Sequence, residues 1–370
     1  MKVKCVFFIF SLKGGGAERT VVNIINNLDK TKFEITLILG SNNNNEYMHL
    51  ISDDIKIKKL NATKLRNCFF KLMKTIHLEK PDIMFSTLVD NNIMLLTTKL
   101  LGRIKAPAIV REANNRTESK QVSIVNRLLT YMLYNLCASK VVALSNGVKD
   151  DLINNFCILE NKINVIYNPV EVLKIKELSK EVLTEFDITG DFKVIIAIGR
   201  LVEQKDYYTL LKSFSQVLES ERAILLILGK GPMEKQLIDL TVSLGVNNHV
   251  VFLGFKRNPY KYLKRADIFI LSSKWEGFGH VIVEAMAVGV PVISTNCKSG
   301  PSEIIGNNEF GLLVPVQSPD ILAEKIIFLL KSKKKREDFV VKGLRRAEHF
   351  EAKKIVLEYE NLFAEVTKKD

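Results

Sequence analysis

The chain has 370 residues, of which 47% are hydrophobic and 26% are charged, and its formal net charge is +13. This length exceeds the size at which one hydrophobic core stops growing, so two domains are expected, and the balanced composition excludes a disordered or fibrous protein. The positive charge favours anionic partners, a class that includes nucleic acid, acidic lipid and phosphorylated substrates.

The first predicted element is a buried β-strand at residues 3–10, which leads into a glycine loop at residues 14–16. The basic tip and apolar run resemble those of a signal peptide, but no small-residue cleavage site follows them. No other stretch reaches the ~20 apolar residues that span a bilayer. The five cysteines are scattered and include no Cys-x-x-Cys pair, which favours a reduced, cytosolic compartment.

Short apolar runs of strand length alternate with helical patterns through the rest of the first half. The strand-like runs are residues 33–39, 83–87, 108–110 and 141–144, and the helical patterns are residues 17–28, 91–101 and 125–139. Strands that alternate with helices predict a parallel sheet covered on both faces. Residues 1–168 are therefore predicted to form one doubly wound, Rossmann-like α/β domain.

The same alternation restarts after a polar, charged stretch at residues 171–191. The new strand-like runs are residues 193–199, 223–228, 250–253, 268–271, 290–294 and 311–314. They predict a second Rossmann-like domain at residues 190–351, and the final helical segment, within residues 352–370, is expected to pack back on the first domain. Since open parallel sheets bind ligands beyond the carboxyl ends of their strands, the two domains are expected to face a central cleft that holds the chemistry.

The most informative segment runs from a predicted strand through a glycine-bearing turn into a helix. It carries Glu276 and Glu284, which are eight positions apart. This order places backbone N–H groups at the helix start, where they can hold an anion such as a diphosphate. Glu276 is expected on the turn and Glu284 about two turns into the helix, so that one carboxylate can meet a sugar and the other a ribose.

This pattern of two glutamates separated by seven residues resembles the motif of the GT4-type glycosyltransferases of GT-B fold, also called glycosyl transferases group 1. Three further features of that family follow predicted strands in the same order: Lys13-Gly-Gly-Gly16-Ala-Glu-Arg19, Gly199-Arg200-Leu-Val-Glu-Gln-Lys205 and Gly229-Lys230-Gly231-Pro232. Taken alone, each motif is more simply explained as a turn or as surface charge. Their joint order at strand ends favours function, and the resemblance covers nearly the whole chain.

The resemblance implies a role for each motif residue. Glu284 would hold the ribose hydroxyls and Glu276 the hydroxyls of the donor sugar, while Arg200 and Lys205 would bind the diphosphate. Glu276, Arg200 and Lys205 are expected to be catalytic, because fixed cations stabilise the charge that a leaving nucleotide diphosphate gains. The further residues expected to contact the donor lie in the glycine loops and at the helix start: Gly15, Gly16, Gly229, Gly231, Phe278, Gly279, His280 and Val281.

The resemblance and the residues both favour donor binding without a metal ion or another cofactor, since the chain contains no Asp-x-Asp. One segment departs from the family: many relatives carry a histidine within the stretch that corresponds to residues 109–116, where this chain has Ala113. The five histidines show no metal-ligand spacing. The sequence therefore identifies no catalytic base, and the retaining stereochemistry is implied by the resemblance alone.

Two segments of the first half are candidates for contact with an anionic membrane or a lipid-linked diphosphate. Residues 64–77 form a basic, apolar-rich helical pattern, and residues 122–136 are a weaker second candidate. The alternative for each is a helix packed on the sheet with a solvated basic face. The expected location is cytoplasmic, peripheral on the inner face of the cytoplasmic membrane.

These inferences predict a retaining glycosyltransferase that moves a hexose or N-acetylhexosamine from a nucleotide-diphosphate sugar, expected to be a UDP-sugar. The acceptor would be a glycan or a polyprenyl-diphosphate-linked glycan of a cell-surface polysaccharide, lipopolysaccharide or glycoprotein. The alternatives are a sugar-nucleotide epimerase of the same fold and a non-catalytic sugar-nucleotide binder, which Ala113 would allow. Nucleic acid is not expected as a partner, because no zinc, helix-turn-helix or RNA-binding motif occurs.

Overall fold

The structure is a computed structural model that describes residues 2–13, 15–43, 45–118, 122–183 and 191–367. The chain divides into two compact units, of which the first combines Met1–Pro169 with Ala352–Asp370 and the second is Val170–Glu351. The second unit begins before the predicted residue 190, because Val172–Leu178 forms a helix that contacts other helices of that unit. No helix among the described residues is both long and apolar enough to cross a membrane.

The first unit is a seven-stranded parallel sheet covered by helices. Its strands are β1 (Val3–Ile9), β2 (Phe33–Leu39), β3 (Lys56–Lys59), β4 (Ile83–Thr87), β5 (Ala108–Glu112), β6 (Lys140–Ala143) and β7 (Ile163–Val165). Its first five helices are α1 (Gly16–Asn27), α2 (Phe69–Glu79), α3 (Val89–Leu101), α4 (Ile124–Cys137) and α5 (Asn146–Phe156). The spatial order is β3-β2-β1-β4-β5-β6-β7, so the direction of winding reverses between β1 and β4.

The second unit repeats this architecture with a six-stranded parallel sheet. Its strands are β8 (Lys193–Ile198), β9 (Ala223–Leu228), β10 (Val250–Gly254), β11 (Ile268–Leu271), β12 (Val292–Thr295) and β13 (Leu312–Val314). Its helices are α6 (Val172–Leu178), α7 (Tyr207–Val217), α8 (Glu234–Ser243), α9 (Tyr260–Leu263), α10 (His280–Ala287), α11 (Pro301–Ile305), α12 (Pro319–Lys331) and α13 (Lys333–Ala347). The order β10-β9-β8-β11-β12-β13 reverses between β8 and β11.

The last helix, α14 (Ala352–Thr367), belongs to the first unit and packs against α1 and β4. Its Phe363 ring contacts the aromatic core of that sheet, with a centroid 6.1 Å from that of Phe85. Crossover connections between parallel strands are right-handed, which places α1 on one face of the sheet and α2 to α5 on the other. Helix α14 therefore shares the face of α1 and leaves the opposite face to α2–α5.

The strand pattern predicted from the sequence missed two edge strands and shortened one central strand. Strand β3 reads Lys-Ile-Lys-Lys and β7 has three residues, so neither shows an apolar run, and lysines are common on edge strands because they discourage pairing with another chain. Strand β5 continues beyond the predicted residue 110 through Arg111 and Glu112, both of which are buried. Charged residues normally end an apolar run, and here they are part of the strand.

Candidate active site

The reversal point of the second sheet, between β8 and β11, brings two predicted site residues together. Lys205 lies on the loop after β8 and Glu276 on the loop after β11, and these two strands pair directly. Lys205 Nζ is 2.5 Å from Glu276 Oε1, which also accepts a 2.6 Å hydrogen bond from Ser273 Oγ. Open parallel sheets bind their ligands at such points, so the ion pair lies where this fold holds a substrate.

This ion pair is largely shielded from solvent. The exposed fraction of the side chain is 16% for Lys205 and 9% for Glu276. Salt and water screen such a pair less than a surface pair. The hydrogen bonds from Lys205 and Ser273 both reach Oε1, so Glu276 Oε2 takes part in neither and offers an acceptor at the ligand-binding edge.

Hydrogen bonds also hold the two loops together. Ser272 Oγ donates to the Lys205 carbonyl at 2.8 Å, and the Lys274 N–H donates to the Gln204 carbonyl at 2.8 Å. Gln204 Nε2 donates in turn to the Trp275 carbonyl at 2.9 Å. These bonds fix the positions of the two backbones, and the ion-paired side chains therefore start from a rigid base.

The residue that follows Lys205 has a strained backbone. Asp206 has φ 45° and ψ 52°, a left-handed conformation that costs a non-glycine residue about 1–2 kcal/mol. Its carboxylate caps α7 by accepting hydrogen bonds from the Thr209 hydroxyl at 2.7 Å and the Thr209 N–H at 3.4 Å. Strain of this kind is common at functional sites, where the surrounding structure holds it in place.

Arg200 lies directly after Gly199 at the end of β8 and is exposed. Among the described residues, its guanidinium forms no ion pair with a carboxylate. Within those residues its charge is therefore unpaired, at the same edge of the sheet where Lys205 is ion-paired with Glu276. Arg200 and Lys205 look equivalent in the sequence motif, but they differ in their pairing with carboxylates.

Close backbone packing explains two glycines of the loop after β9. A Cβ at Gly229 would lie 1.9 Å from the Gly199 carbonyl oxygen, and one at Gly231 would lie 2.3 Å from the Leu201 carbonyl oxygen. Gly229 also has φ +141°, which favours glycine. Both glycines therefore position the loop that carries Arg200, and their contact with a donor stays a prediction.

Helix α10 begins at His280, after a left-handed Gly279 with φ +94°. Phe278 is buried, and its ring packs edge-on to the His280 ring at 5.6 Å. The first N–H groups of a helix have no partners within it, so this helix start has the geometry to hold an anion. Val281 is half-buried in the first turn.

The loop after β12 supports this turn through two residues that the sequence did not reveal as important. Gly300 has φ +82°, and a Cβ there would lie 2.4 Å from the Phe278 carbonyl oxygen. Ser299 Oγ donates a 2.7 Å hydrogen bond to the Glu276 carbonyl. A glycine far along the chain shows no motif around it, and only the packing exposes its role.

Glu284 is buried in α10, with 3% of its surface exposed. Because the helix begins at His280, Glu284 lies just over one turn into it, and the predicted two turns were wrong. The Tyr260 hydroxyl lies 3.5 Å from Glu284 Oε1. Burial of a carboxylate is costly without polar partners, so Tyr260 joins the site as a positioning residue that the sequence pattern missed.

The thiol of Cys297, which is influenced by the charges of the ion pair, is held in its neutral form. Burial, together with the negative charge of Glu276, raises the pKa of Cys297 to about 12. The thiol donates to the Ser273 carbonyl, with sulfur and oxygen 3.1 Å apart. A neutral thiol is a poor nucleophile, so Cys297 has a packing role.

The predicted glycine loop of the first unit is at the start of α1. Gly15 occupies the N-cap position and Gly16 is the first helical residue, while Gly14 lies outside the described residues. A Cβ at Gly15 would lie 2.4 Å from Glu18 Oε2, the end of a flexible side chain. The reversal point of this sheet lies between β1 and β4, so the loop has the location that the fold uses for ligands.

A buried polar network lies at the carboxyl ends of β4 and β5 in the same sheet. Arg111 donates to Thr87 Oγ1 at 2.9 Å and to the side-chain oxygen of Asn168. Glu112 accepts a hydrogen bond from the Tyr134 hydroxyl, and its buried Oε2 has no hydrogen-bond partner among the described residues. Burial raises the pKa of Glu112, although the nearby Arg116 charge acts in the opposite direction.

Ala113 follows this network directly and is half-buried. The segment therefore places a carboxyl group one residue before the position where the family pattern suggests a histidine. The sequence pattern predicted no role for Arg111 or Glu112, because charged side chains at a strand end are usually solvated.

A cavity of about 170 Å³ lies at the other end of the first sheet. It is lined by residues at the amino ends of β1 to β3 and at the end of α2: Lys4, Cys5, Val6, Glu34, Thr36, Lys56, Leu78 and Glu79. Parallel sheets bind ligands at their carboxyl ends, so this cavity is not the expected site. Within the described residues, no group of three or more His, Cys, Asp or Glu side chains is arranged to hold a metal ion.

Comparisons with known proteins cover both units. Residues 14–172 match the family model described as Glycosyltransferase Family 4, and residues 180–346 match the model described as Glycosyl transferases group 1. The structure is similar to that of Anabaena HepE in complex with UDP and glucose, with a TM-score of 0.83 and 20% identity over 98% of this chain and 100% of that one. At that identity the likeness supports the GT-B fold.

Two relatives from Campylobacter jejuni are similar over nearly their full length. One, N-acetylgalactosamine-N,N'-diacetylbacillosaminyl-diphospho-undecaprenol 4-alpha-N-acetylgalactosaminyltransferase, is 30% identical over 95% of this chain and 97% of its own length. The other, GalNAc-alpha-(1->4)-GalNAc-alpha-(1->3)-diNAcBac-PP-undecaprenol alpha-1,4-N-acetyl-D-galactosaminyltransferase, is 27% identical over 98% of this chain and 99% of its own length. The family models and this identity show that the chain belongs to the GT4-type glycosyltransferases of GT-B fold and is a transferase that uses nucleotide sugars.

Proposed function

We propose that this enzyme transfers a hexose or N-acetylhexosamine from a UDP-sugar, with retention of configuration, to a polyprenyl-diphosphate-linked glycan of a cell-surface polymer. The observation that carries the proposal is the Lys205–Glu276 ion pair at the reversal point of the second sheet. The relatives named above act on diphospho-undecaprenol acceptors, and HepE was solved with UDP, which supports the acceptor and donor classes.

Each site residue has a task in the reaction that we propose. The guanidinium of Arg200 and the ammonium of Lys205 bind the diphosphate, and the start of α10 adds backbone N–H groups at Gly279, His280 and Val281. As the bond from the anomeric carbon to the diphosphate oxygen breaks, negative charge grows on the leaving group, and these fixed positive groups stabilise it. This stabilisation requires no metal ion, so the proposal includes none.

The two glutamates bind the donor at separate places. Glu276 keeps Lys205 in position through Oε1, and Oε2 accepts a hydrogen bond from a hydroxyl of the donor sugar. Glu284, held near Tyr260, accepts hydrogen bonds from the ribose hydroxyls. A site built to accept from hydroxyls rejects donors that lack them, so this arrangement contributes to donor selection.

The test is release of nucleotide diphosphate from a panel of UDP-, GDP- and ADP-sugars, with lipid extract and with EDTA. We expect release from a UDP-sugar that depends on lipid and persists in EDTA, and a fall of at least about 100-fold in Glu276→Gln. The matched control is Glu203→Gln, which breaks an exposed pair with Lys274 between the same two loops and should leave the rate unchanged.

Three results would contradict the proposal. Nucleotide binding without release from any donor would indicate the non-catalytic binder, and conversion of the free sugar nucleotide without an acceptor would indicate the epimerase. Loss of release in EDTA, restored by a divalent cation, would show that the positive side chains do not replace a metal. Glu276→Asp separates charge from geometry, since it keeps the charge and shortens the reach.

A further inference from the structure

Helix α4 exposes an apolar face that no described residue of the first unit covers. Seven large apolar side chains of this 14-residue helix are exposed: Ile124, Val125, Leu128, Leu129, Tyr131, Met132 and Leu136. The exposed fraction is 84% for Ile124 and 76% for Leu136. Single exposed apolar residues are common in soluble proteins, but a contiguous set on one element marks a binding surface.

The seven side chains lie on one side of the helix, and the polar residue Asn135 lies within the same arc near its end. At 100° per residue they cover an arc of roughly 160°, and the buried residues of α4 lie on the other side of the helix. Those buried residues, Thr130, Leu133, Tyr134 and Cys137, already supply the contacts with the sheet. The exposed arc is therefore additional to what packing of the helix requires.

The only charged side chain of α4 lies off this arc. Arg127 turns toward α5, where its guanidinium carbon is 5.7 Å from the centre of the Phe156 ring. The apolar arc is thus interrupted by no charge, while a cation borders it. Helices that lie in the surface of a bilayer share this arrangement of an apolar face and a basic flank.

The elements that pack next to α4 are basic. Helix α3 contacts both α2 and α4, so the three helices form one layer on the sheet face opposite α1 and α14. Residues 61–107, which include α2 and α3, contain eight Lys and Arg against three Asp and Glu. An anionic surface is attracted to this layer, whereas a second copy of the chain would bring its own net charge of +13 and be repelled.

We propose that the apolar face of α4 docks on the surface of an anionic membrane, with the lysines of α2 as electrostatic support. This inference rests on the proposed function in one respect. The proposed polyprenyl-linked acceptor lies in a membrane, which gives the enzyme a reason to dock there. Helix α4 follows β5 and so begins at the carboxyl edge of the sheet, where ligands bind. Docking brings that edge to the membrane surface.

The structure reverses the order of the two membrane candidates from the sequence. Helix α2 buries Leu72 and Ile76 and exposes lysines, with Phe70 and Leu78 as its exposed apolar residues. It therefore carries the charge, and α4 carries most of the apolar area. Apolar burial supplies the membrane affinity and the charge adds to it.

The test is flotation of the full-length protein with vesicles of equal parts phosphatidylcholine and phosphatidylglycerol. We expect wild type to bind these vesicles and to bind phosphatidylcholine alone much more weakly. Ile124→Asp/Leu128→Asp should weaken binding at least about tenfold, because two apolar contacts become charged. Lys71→Glu/Lys74→Glu should weaken it several-fold and reduce its dependence on salt.

The matched control is Leu357→Asp, which changes a side chain of α14 that is 52% exposed on the other face of the first unit. It should bind vesicles as wild type does. All substituted residues are exposed, and circular dichroism verifies folding. Leu136→Asp tests the far end of the same face if the double variant does not fold.

Three outcomes would overturn the docking proposal: no vesicle binding by wild type, unchanged binding by Ile124→Asp/Leu128→Asp, or equal loss in Leu357→Asp. A wild-type dimer that the double variant converts to monomer, with vesicle binding unchanged, would assign the face to a second copy. Release of nucleotide diphosphate with a detergent-solubilised acceptor is measured in parallel. It should survive in the α4 variants, which distinguishes a failure of docking from a failure of the proposed reaction.

Discussion

Lys205 and Glu276 are 71 residues apart in the chain, and their side chains meet at 2.5 Å because β8 and β11 are neighbours in the sheet. The same two loops carry a second pair, in which Lys274 Nζ lies 3.1 Å from Glu203 Oε1 and the Glu203 side chain is 75% exposed. The two pairs join the same backbone segments and differ chiefly in burial. They therefore provide an internal comparison of a shielded and a solvated ion pair.

A double-mutant cycle on the shielded pair should reveal strong coupling. For Lys205→Met and Glu276→Gln we expect a coupling free energy of about 1–3 kcal/mol, because removing one partner leaves the other poorly solvated. The cycle on Lys274→Met and Glu203→Gln should give less than about 1 kcal/mol. Urea unfolding followed by Trp275 fluorescence measures both, and equal couplings would contradict the role of burial.

Substitution of Gly231 should reduce activity, whereas substitution of a glycine away from the site should cost only some stability. In Gly231→Ala the new Cβ meets the Leu201 backbone, so the loop that carries Arg200 must move, and we expect donor turnover to fall at least about tenfold. Gly245→Ala is the control: Gly245 has φ +69° with no atom near its would-be Cβ, so it should cost about 1 kcal/mol through backbone strain alone. Normal turnover in Gly231→Ala would show that the loop tolerates the shift.

Because of Glu112, the stability of the first unit should decline as pH rises. Burial raises the pKa of Glu112 above its ordinary 4.5, so the folded state keeps a proton that the unfolded state loses above that pH. The free energy of unfolding should therefore fall as pH rises from 4.5 until the raised pKa is passed. Arg116 and Asp151 face the carboxyl with opposite effects.

The variant Glu112→Gln isolates this contribution, because its amide oxygen can accept from Tyr134 without ionising. Its stability relative to wild type should increase with pH, as measured by urea unfolding followed by circular dichroism. Glu34→Gln, at an exposed position of β2, should show no such trend. A constant difference between Glu112→Gln and wild type across the pH range would mean that Glu112 is ionised in the folded state.

One of the five thiols should react rapidly in the folded protein. Cys157 is exposed, whereas Cys5, Cys68, Cys137 and Cys297 are buried. Burial raises the pKa of Cys68 to about 11 and that of Cys297 to about 12, so few of these thiols ionise at pH 8. We expect Ellman's reagent to modify one equivalent quickly, and Cys157→Ser to abolish that phase. Rapid reaction of Cys297 would show that the loops around the ion pair open readily.

The sequence by itself determined the two Rossmann-like units and the motifs at their strand ends. Buried parallel strands need continuous apolar runs, and those runs are local features that can be read without the fold. The loops after β8 and β11 were recognisable for the same reason, since each motif directly follows an apolar run. The short, lysine-rich β3 escaped because the feature that identifies a central strand is absent from an edge strand.

Only the tertiary structure decided which side chains meet and which faces stay exposed. Strand order brings Lys205 to Glu276 and Tyr260 to Glu284, and no spacing in the chain encodes those distances. Helix α4 has apolar residues around most of its circumference, so its sequence is compatible with complete burial. Packing covers one side and leaves the other open, because burial depends on what neighbouring elements fill, and that is a property of the assembled fold.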